Sequence, residues 1–205
     1  MQDMFLSTPH RQDMFISALA QLEIQPFASL PFFSEAEISA MIAQTDALSF
    51  RKARETVGNN VFQDFDICFP APLTGDFQAC AKLLEDMVRH AGTHNPSLCE
   101  GRFVINDFAI QKYPAGSKGI GIHKDGLRYR NFVFIITLAG ISELFCCADR
   151  QGAHPVVIDD RPGRLVILPA PGFSGLKDEN DRPLHGVRAV TEGRLSIGFR
   201  QERKQ

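Results

Sequence analysis

Hydrophobic positions divide the chain into two halves. In the first hundred residues they recur at helical spacing. Ser34-Glu-Ala-Glu37 forms a capping box, in which the serine hydroxyl accepts from the Glu37 N–H while the glutamate reaches back. Ile38, Met41, Ile42 and Leu48 follow it as the apolar stripe of a helix. A second helix is predicted from about 76 to 91, with Leu83, Leu84, Met87 and Val88 on its buried side and Gly92 as its stop. Between the two, RKARETVGNN (51–60) is polar and turn-rich, which predicts a loop flanking a substrate.

From residue 102 the pattern shortens. RFVINDFAIQKY, NFVFIITLAG, ELFCCAD, HPVVID, GRLVIL, HGVRAV and GRLSIGFR alternate with turn residues, as strands of an antiparallel barrel or sandwich do. NFVFIITL is apolar on both faces and should be a central, covered strand, with the early helices able to supply the cover. The expected fold is α+β with a mainly β core. One domain is expected, residues 1–100 forming helical cover and loops beside the site and 101–203 the β core.

Composition adjusts this picture in three ways. A chain of 205 residues with 44% hydrophobic content can bury one sizeable core. MQDMFLSTPHRQDMF lacks a basic head followed by an apolar run, and no later window is apolar for long enough to span a bilayer, so neither a secretory signal nor a membrane segment is expected. Five cysteines without a CxxC argue against a zinc ribbon or a disulfide framework and fit a cytoplasmic protein. Charge is uneven. Residues 1–100 carry 6 Lys/Arg against 13 Asp/Glu, and residues 101–205 carry 16 against 11. An anionic ligand therefore belongs with the second half.

The chemistry is expected around GIHKDGLRYRN (121–131). On a strand, residues i and i+2 share a face, so His123 and Asp125 can offer an imidazole nitrogen and a carboxylate oxygen to one ion. Alone, the pair is a weak signal and fits a plain strand end better. A third ligand has to come from His10, His90, His94, His154 or His185. His185 is preferred, because it opens a strand after a long turn-rich loop (169–183) that is a candidate lid. Two histidines and one carboxylate on one face of an octahedron leave three positions open, the arrangement of non-haem Fe(II) oxygenases. Nine residues after His185 comes Arg194, which shares a strand face with Ser196, Gly198 and Arg200. The other face, Leu195, Ile197 and Phe199, is wholly apolar. If both faces are interior, the two guanidinium groups need anions, and a dicarboxylate ligand would supply them. GSKGIG does not open a phosphate loop, because its Ser-Lys order is reversed; its glycines allow tight turning beside the site.

Taken together, H-x-D, sixty residues to His185, and nine more to R-x-S resemble the Fe(II)/2-oxoglutarate-dependent dioxygenases over residues 106–200. RLSIGFR and QKYPAGSKGIGIHKD are most similar to the AlkB-type branch. The resemblance implies a double-stranded β-helix, a jelly-roll or cupin-like barrel with the helices outside. It implies Fe(II) on His123, Asp125 and His185, with 2-oxoglutarate and O2 as cosubstrates. It further implies that Arg194 takes the distal carboxylate of 2-oxoglutarate, aided by the hydroxyl of Ser196 or Tyr113, and that Arg200 lies nearer the metal or the substrate. Tyr113 fits core packing as well. The implied reaction hydroxylates a C–H bond while 2-oxoglutarate becomes succinate and CO2, and beside nitrogen the same step demethylates. The acidic first half lacks tryptophan and a basic-aromatic lid, which favours a small-molecule substrate over a nucleic acid. Arg128, Arg130 and Asn131 are the first expected partners of an anionic substrate. Two alternatives are an AlkB-like nucleic-acid demethylase and a non-catalytic or 2-oxoglutarate-independent cupin-like barrel.

Overall fold

The computed structural model describes residues 4–58 and 60–203, so the first three residues of the stretch read for a signal, and Asn59 of the polar loop, lie outside the described residues. The helices are α1 (Pro9–Gln21), α2 (Glu35–Thr45) and α3 (Gly75–His94). The strands, in chain order, are β1 (Ala28–Pro31), β2 (Arg51–Lys52), β3 (Thr56–Val57), β4 (Val61–Asp64), β5 (Asp66–Cys68), β6 (Asp107–Tyr113), β7 (Gly119–His123), β8 (Tyr129–Gly140), β9 (Glu143–Cys147), β10 (Val156–Ile158), β11 (Arg164–Pro169), β12 (Leu184–Arg188) and β13 (Arg194–Glu202).

They form two antiparallel sheets, one ordered β1-β11-β8-β13-β6-β5-β2 and the other β10-β9-β12-β7-β4-β3. β8 lies inside the larger sheet between β11 and β13, as its two apolar faces require. Alternation along β13 sorts the whole sheet. Ile197 and Phe199 join Phe108, Ile110, Phe134 and Ile136 on the outer face. Phe15 and Leu19 of α1, Met41 of α2 and Phe77, Leu84 and Met87 of α3 cover that face. The inner face (Tyr113, Val133, Val166, Leu168) meets Leu144, Cys146, Ile158 and Val187 of the smaller sheet. Each such apolar side chain contributes roughly 1.5–3 kcal/mol on burial. The site sits between the sheets.

Local chemistry explains the helices. At α2 the capping box is closed: Ser34 Oγ accepts from the Glu37 N–H at 3.3 Å, and Glu37 accepts from the Ser34 N–H at 2.7 Å. Arg11 also grips the buried Glu37 carboxylate through both guanidinium nitrogens, at 2.9 and 2.6 Å. Leu48 lies beyond the helix end but packs on the same core. α3 runs through Gly92 instead of stopping there. It ends at Asn95, which is extended because Pro96 follows and disfavours the helical conformation before it.

The first half is more than helical cover. Its β1, β2 and β5 extend the larger sheet and its β3 and β4 the smaller one, and α1 was not anticipated. RKARETVGNN contains β2 and β3 rather than a plain loop. Among the described residues, no helix is long and apolar enough to cross a membrane.

Candidate active site

Strand pairing brings the two histidines together. β12 pairs with β7 so that His185 is the cross-strand partner of His123. The close approach needs glycine at both strands. Gly119 has φ +85° and a side chain there would overlap the Val187 carbonyl; at Gly186 a Cβ would lie 2.9 Å from Ile120 O. The imidazole centroids are 4.3 Å apart. β7 ends at His123, and Asp125 stands just past it with a carboxylate oxygen 3.6 Å from His185 Nε2. One donor atom from each of His123, Asp125 and His185 lies within 4.8 Å of the others.

Each ring is oriented from behind. His123 Nδ1 is 2.8 Å from the Gly121 carbonyl, and His185 Nδ1 is 3.1 Å from the Pro183 carbonyl. A carbonyl can only accept, so Nδ1 carries the proton and Nε2 keeps its lone pair. Burial, followed by the neighbouring His185, holds His123 down to about 4, and Asp125 only partly offsets this. His123 is thus neutral at neutral pH, as a metal ligand must be. The donor set, two imidazoles and a carboxylate converging from one side, fits a divalent iron centre with open positions. The other histidines are not part of it: His10 and His154 are exposed, and His90 and His94 face each other at the end of α3.

The triad edge opens on a cavity of roughly 530 Å³ whose wall includes His123, Asp125, Gln111, Tyr129 and Arg200. Val57, Gly58 and Val61 line it too, which puts part of the polar 51–60 stretch beside the site. Loop 169–183 is anchored at one end by buried Phe173. At the other end the Asn180 carbonyl accepts from Lys124, and Arg182 donates to the Asp125 carbonyl. The loop is tied to the H-x-D segment itself.

The polar face of β13 is interior, the case in which its arginines need anions, but they have counter-ions within the protein. Arg194, 3% exposed, donates to Asp160 and, at 2.9 Å, to Ser142 Oγ, while Asp160 also accepts from Thr137 at 2.7 Å. Arg200 Nε lies 2.7 Å from Asp107, and its guanidinium carbon lies 4.9 Å from the Tyr129 ring centroid. The expectation that a dicarboxylate ligand must supply these anions is therefore corrected. Arg194 Nε remains buried without a hydrogen-bond partner among the described residues. Tyr113, its cross-strand partner, is buried; burial pushes its hydroxyl pKa up, and the hydroxyl bonds Gln111 at 3.0 Å. Ser196 is buried on the same face, opposite Gln111.

The stretch after the H-x-D is mostly occupied elsewhere. Arg128 pairs with Glu202 at 2.8 Å and stacks on Tyr129. Arg130 points to Glu100 at 3.7 Å. Asn131 is fully buried with φ +60°; its side chain bonds the Glu100 backbone N–H and the Gln201 side chain at 2.9 and 2.8 Å. Of the three residues expected to meet substrate, Arg128 alone lines the cavity. Asn131 instead ties loop 98–101 to the barrel. Asp160, Asp107, Gln111 and Arg150 were not singled out from the sequence. The only mark of Gln111 there is its place two residues before Tyr113.

No protein-family model and no curated protein matches the sequence. Solved structures do. A prolyl-4-hydroxylase from Pseudomonas putida is 17% identical, covering 93% of this chain and 100% of its own, with a TM-score of 0.62. A prolyl hydroxylase from Trichoplax adhaerens, solved with a hypoxia inducible factor peptide, is 16% identical over 97% of this chain and 94% of its own, with a TM-score of 0.66. A 2OG-Fe(II) oxygenase family oxidoreductase from Burkholderia pseudomallei is 19% identical over 93% and 90%, with a TM-score of 0.62. The chain therefore has the double-stranded β-helix fold of the 2-oxoglutarate-Fe(II) oxygenases. None of these three is described as an AlkB-type protein.

Proposed function

We propose that this chain is an Fe(II)- and 2-oxoglutarate-dependent dioxygenase that hydroxylates, or by hydroxylating beside nitrogen demethylates, a small substrate. One observation carries the reading: the converging donors of His123, Asp125 and His185, the first two of which line an open cavity in this fold. When bound there, iron with 2-oxoglutarate and O2 supplies the oxidising chemistry, which converts C–H to C–OH as 2-oxoglutarate becomes succinate and CO2. The chain's own residues bind, orient and shield. His123 and His185 present Nε2 because Gly121 and Pro183 hold their Nδ1 protons. Arg194, with its unpartnered Nε, and the Tyr113 and Ser196 hydroxyls on the same face would receive the distal carboxylate of 2-oxoglutarate. Arg200 would act nearer the metal. Ile67, Phe69 and Ile120 give the cavity apolar wall that limits water.

A nucleic-acid substrate, the AlkB-like alternative, is less well supported. Phe69 and Tyr129 are the aromatic residues of the cavity wall, and the first half is acidic. A prolyl peptide belongs in any substrate panel, because one structural neighbour was solved with a peptide.

Anaerobic addition of Fe(II) and 2-oxoglutarate should produce a visible charge-transfer band that His185→Ala abolishes. A folded wild-type chain that binds metal but gives no such band would leave only the cupin-like alternative.

A further inference from the structure

The cavity wall that carries His123 and Asp125 is basic. Lys124, Arg128, Arg150 and Arg200 face it, and Asp125 is its one carboxylate. Two of the four cations are neutralised nearby, Arg128 by Glu202 and Arg200 by Asp107. Among the described residues, Lys124 has only the Asn180 carbonyl as partner. Arg150 has no ion pair and makes no side-chain hydrogen bond among the described residues.

An exposed arginine without a partner is ordinary. What sets Arg150 apart is how it is held. It rides on the turn between β9 and β10, where Asp149 Oδ1 accepts from the N–H groups of Gln151 and Ala153 at 2.9 and 3.0 Å. The Ala148 N–H donates to Ala153 O at 2.8 Å and the Gly152 N–H to Asp149 O at 3.1 Å. Gly152, at φ +84°, lets the turn close against Ile122, the neighbour of His123: a Cβ there would come within 3.2 Å of the Ile122 side chain. A braced turn therefore carries an unneutralised guanidinium to the rim of the cavity.

We propose that the substrate of this site carries an acidic group, a carboxylate or a phosphate, and that Arg150 receives it at the cavity rim. The proposal rests on the oxygenase reading above. Charge balance leads to it. A divalent metal with Asp125 keeps one positive charge, and Lys124 and Arg150 add two. 2-Oxoglutarate brings two negative charges, so one cation is left for the substrate. Arg150 is the cation at the rim, exposed where Arg194 is enclosed, so it meets what enters last. Arginine suits the task because its fork can take two oxygens of one anion, and the basic wall draws anions in.

The test uses the chain loaded with Zn(II), which is redox-silent, and saturated with 2-oxoglutarate, binding of both being measured first. Inorganic phosphate is then titrated by calorimetry. Wild type should show one saturable site, weakened at least 10-fold in Arg150→Gln and partly restored in Arg150→Lys, while Arg89→Gln on α3 behaves as wild type. If Zn(II) and 2-oxoglutarate bind but phosphate does not, or binds Arg150→Gln as tightly as wild type, the proposal is overturned. Failure of Zn(II) or 2-oxoglutarate to bind would instead remove the oxygenase reading on which it stands. A second arm measures succinate release by the Fe(II) enzyme with matched pairs, carboxylic acids against their amides and phosphate esters against their alcohols. The charged member should stimulate and so identify the source of the anion, with a half-saturating concentration raised at least 10-fold in Arg150→Gln. Equal stimulation by neutral members overturns the proposal.

Discussion

Replacing Asp160 by asparagine should destabilise the chain more than any surface substitution, for a reason visible in the structure. Asp160 and Arg194 are 7% and 3% exposed and are paired between the sheets, with Thr137 and Ser142 completing the network. Asparagine keeps the shape and one acceptor but removes the charge, so a guanidinium is left buried without an anion. Breaking one side of such a pair costs about 3–5 kcal/mol. A domain of this size loses about 2–4 °C of Tm per kcal/mol, so Tm should fall by roughly 6–20 °C. Circular dichroism melts of the metal-free chain would measure it. The double variant Asp160→Asn/Arg194→Met should recover part of the loss, because it removes both charges. If Arg194 also receives 2-oxoglutarate, then Zn(II) with 2-oxoglutarate should raise the Tm of Asp160→Asn more than that of wild type. A Tm within about 2 °C of wild type would refute the reasoning, since Arg194 would then be reaching water.

Two further outcomes follow from the geometry of the triad. Gly119→Ala places a methyl group on the Val187 carbonyl at a positive φ, so β7 and β12 must separate and His123 moves off His185; Zn(II) affinity should fall at least 10-fold with circular dichroism retained, and unchanged affinity would disprove the close-approach argument. The pH dependence comes from His123, which titrates at about 4 in the folded chain against 6.5 unperturbed. Between those values the unfolded chain holds the extra proton, so the stability contributed by neutral His123 is present above pH 6.5 and is lost as pH falls towards 4. The loss in the metal-free chain is on the order of 3 kcal/mol. Urea unfolding of wild type and His123→Phe at pH 7 and pH 5 checks it: the slope should shrink in the variant, and an equal slope in both would count against His123 as its source.

What could be read from the sequence was what is written locally. Short β-branched and aromatic runs between turn residues marked β6 and β8 to β13, and alternation placed Arg194, Ser196 and Arg200 on one face with Ile197 and Phe199 on the other. The capping box at Ser34 marked α2 because both of its partners lie within four residues. The strands of two to four residues between 28 and 68 show no period, because that length spans at most two alternations. α1 has a local signal in the sequence as well, an N-cap at Thr8 followed by Pro9. Acids were the hardest to place. Asp160 meets a residue 34 positions away, and Asp107 one 93 positions away. No window of sequence contains either pair.

That difference changes why the arginine strand supports the site. Arg194 and Ser196 on its polar face are buried and Arg200 is half-buried, so the condition attached to the alternation of GRLSIGFR is met. The step from buried arginines to a missing dicarboxylate does not follow, because Asp160 and Asp107 already stand opposite them. Net charge at β13 therefore gives no reason to seat 2-oxoglutarate there. The reasons that remain are narrower and directional. Arg194 has one buried N–H without an acceptor, Tyr113 stands across the strand pair with a buried hydroxyl, and Ser196 adds a second hydroxyl on the same face. A buried donor without an acceptor costs about 1–3 kcal/mol, so a ligand oxygen that reached Arg194 Nε would recover stability as it bound. Arg194→Lys keeps the charge opposite Asp160 but removes Nε, and so separates the two roles. Near-normal stability with at least a 10-fold loss of 2-oxoglutarate affinity is expected; near-normal affinity would mean that Arg194 serves the barrel alone and that the cosubstrate is held elsewhere on the cavity wall.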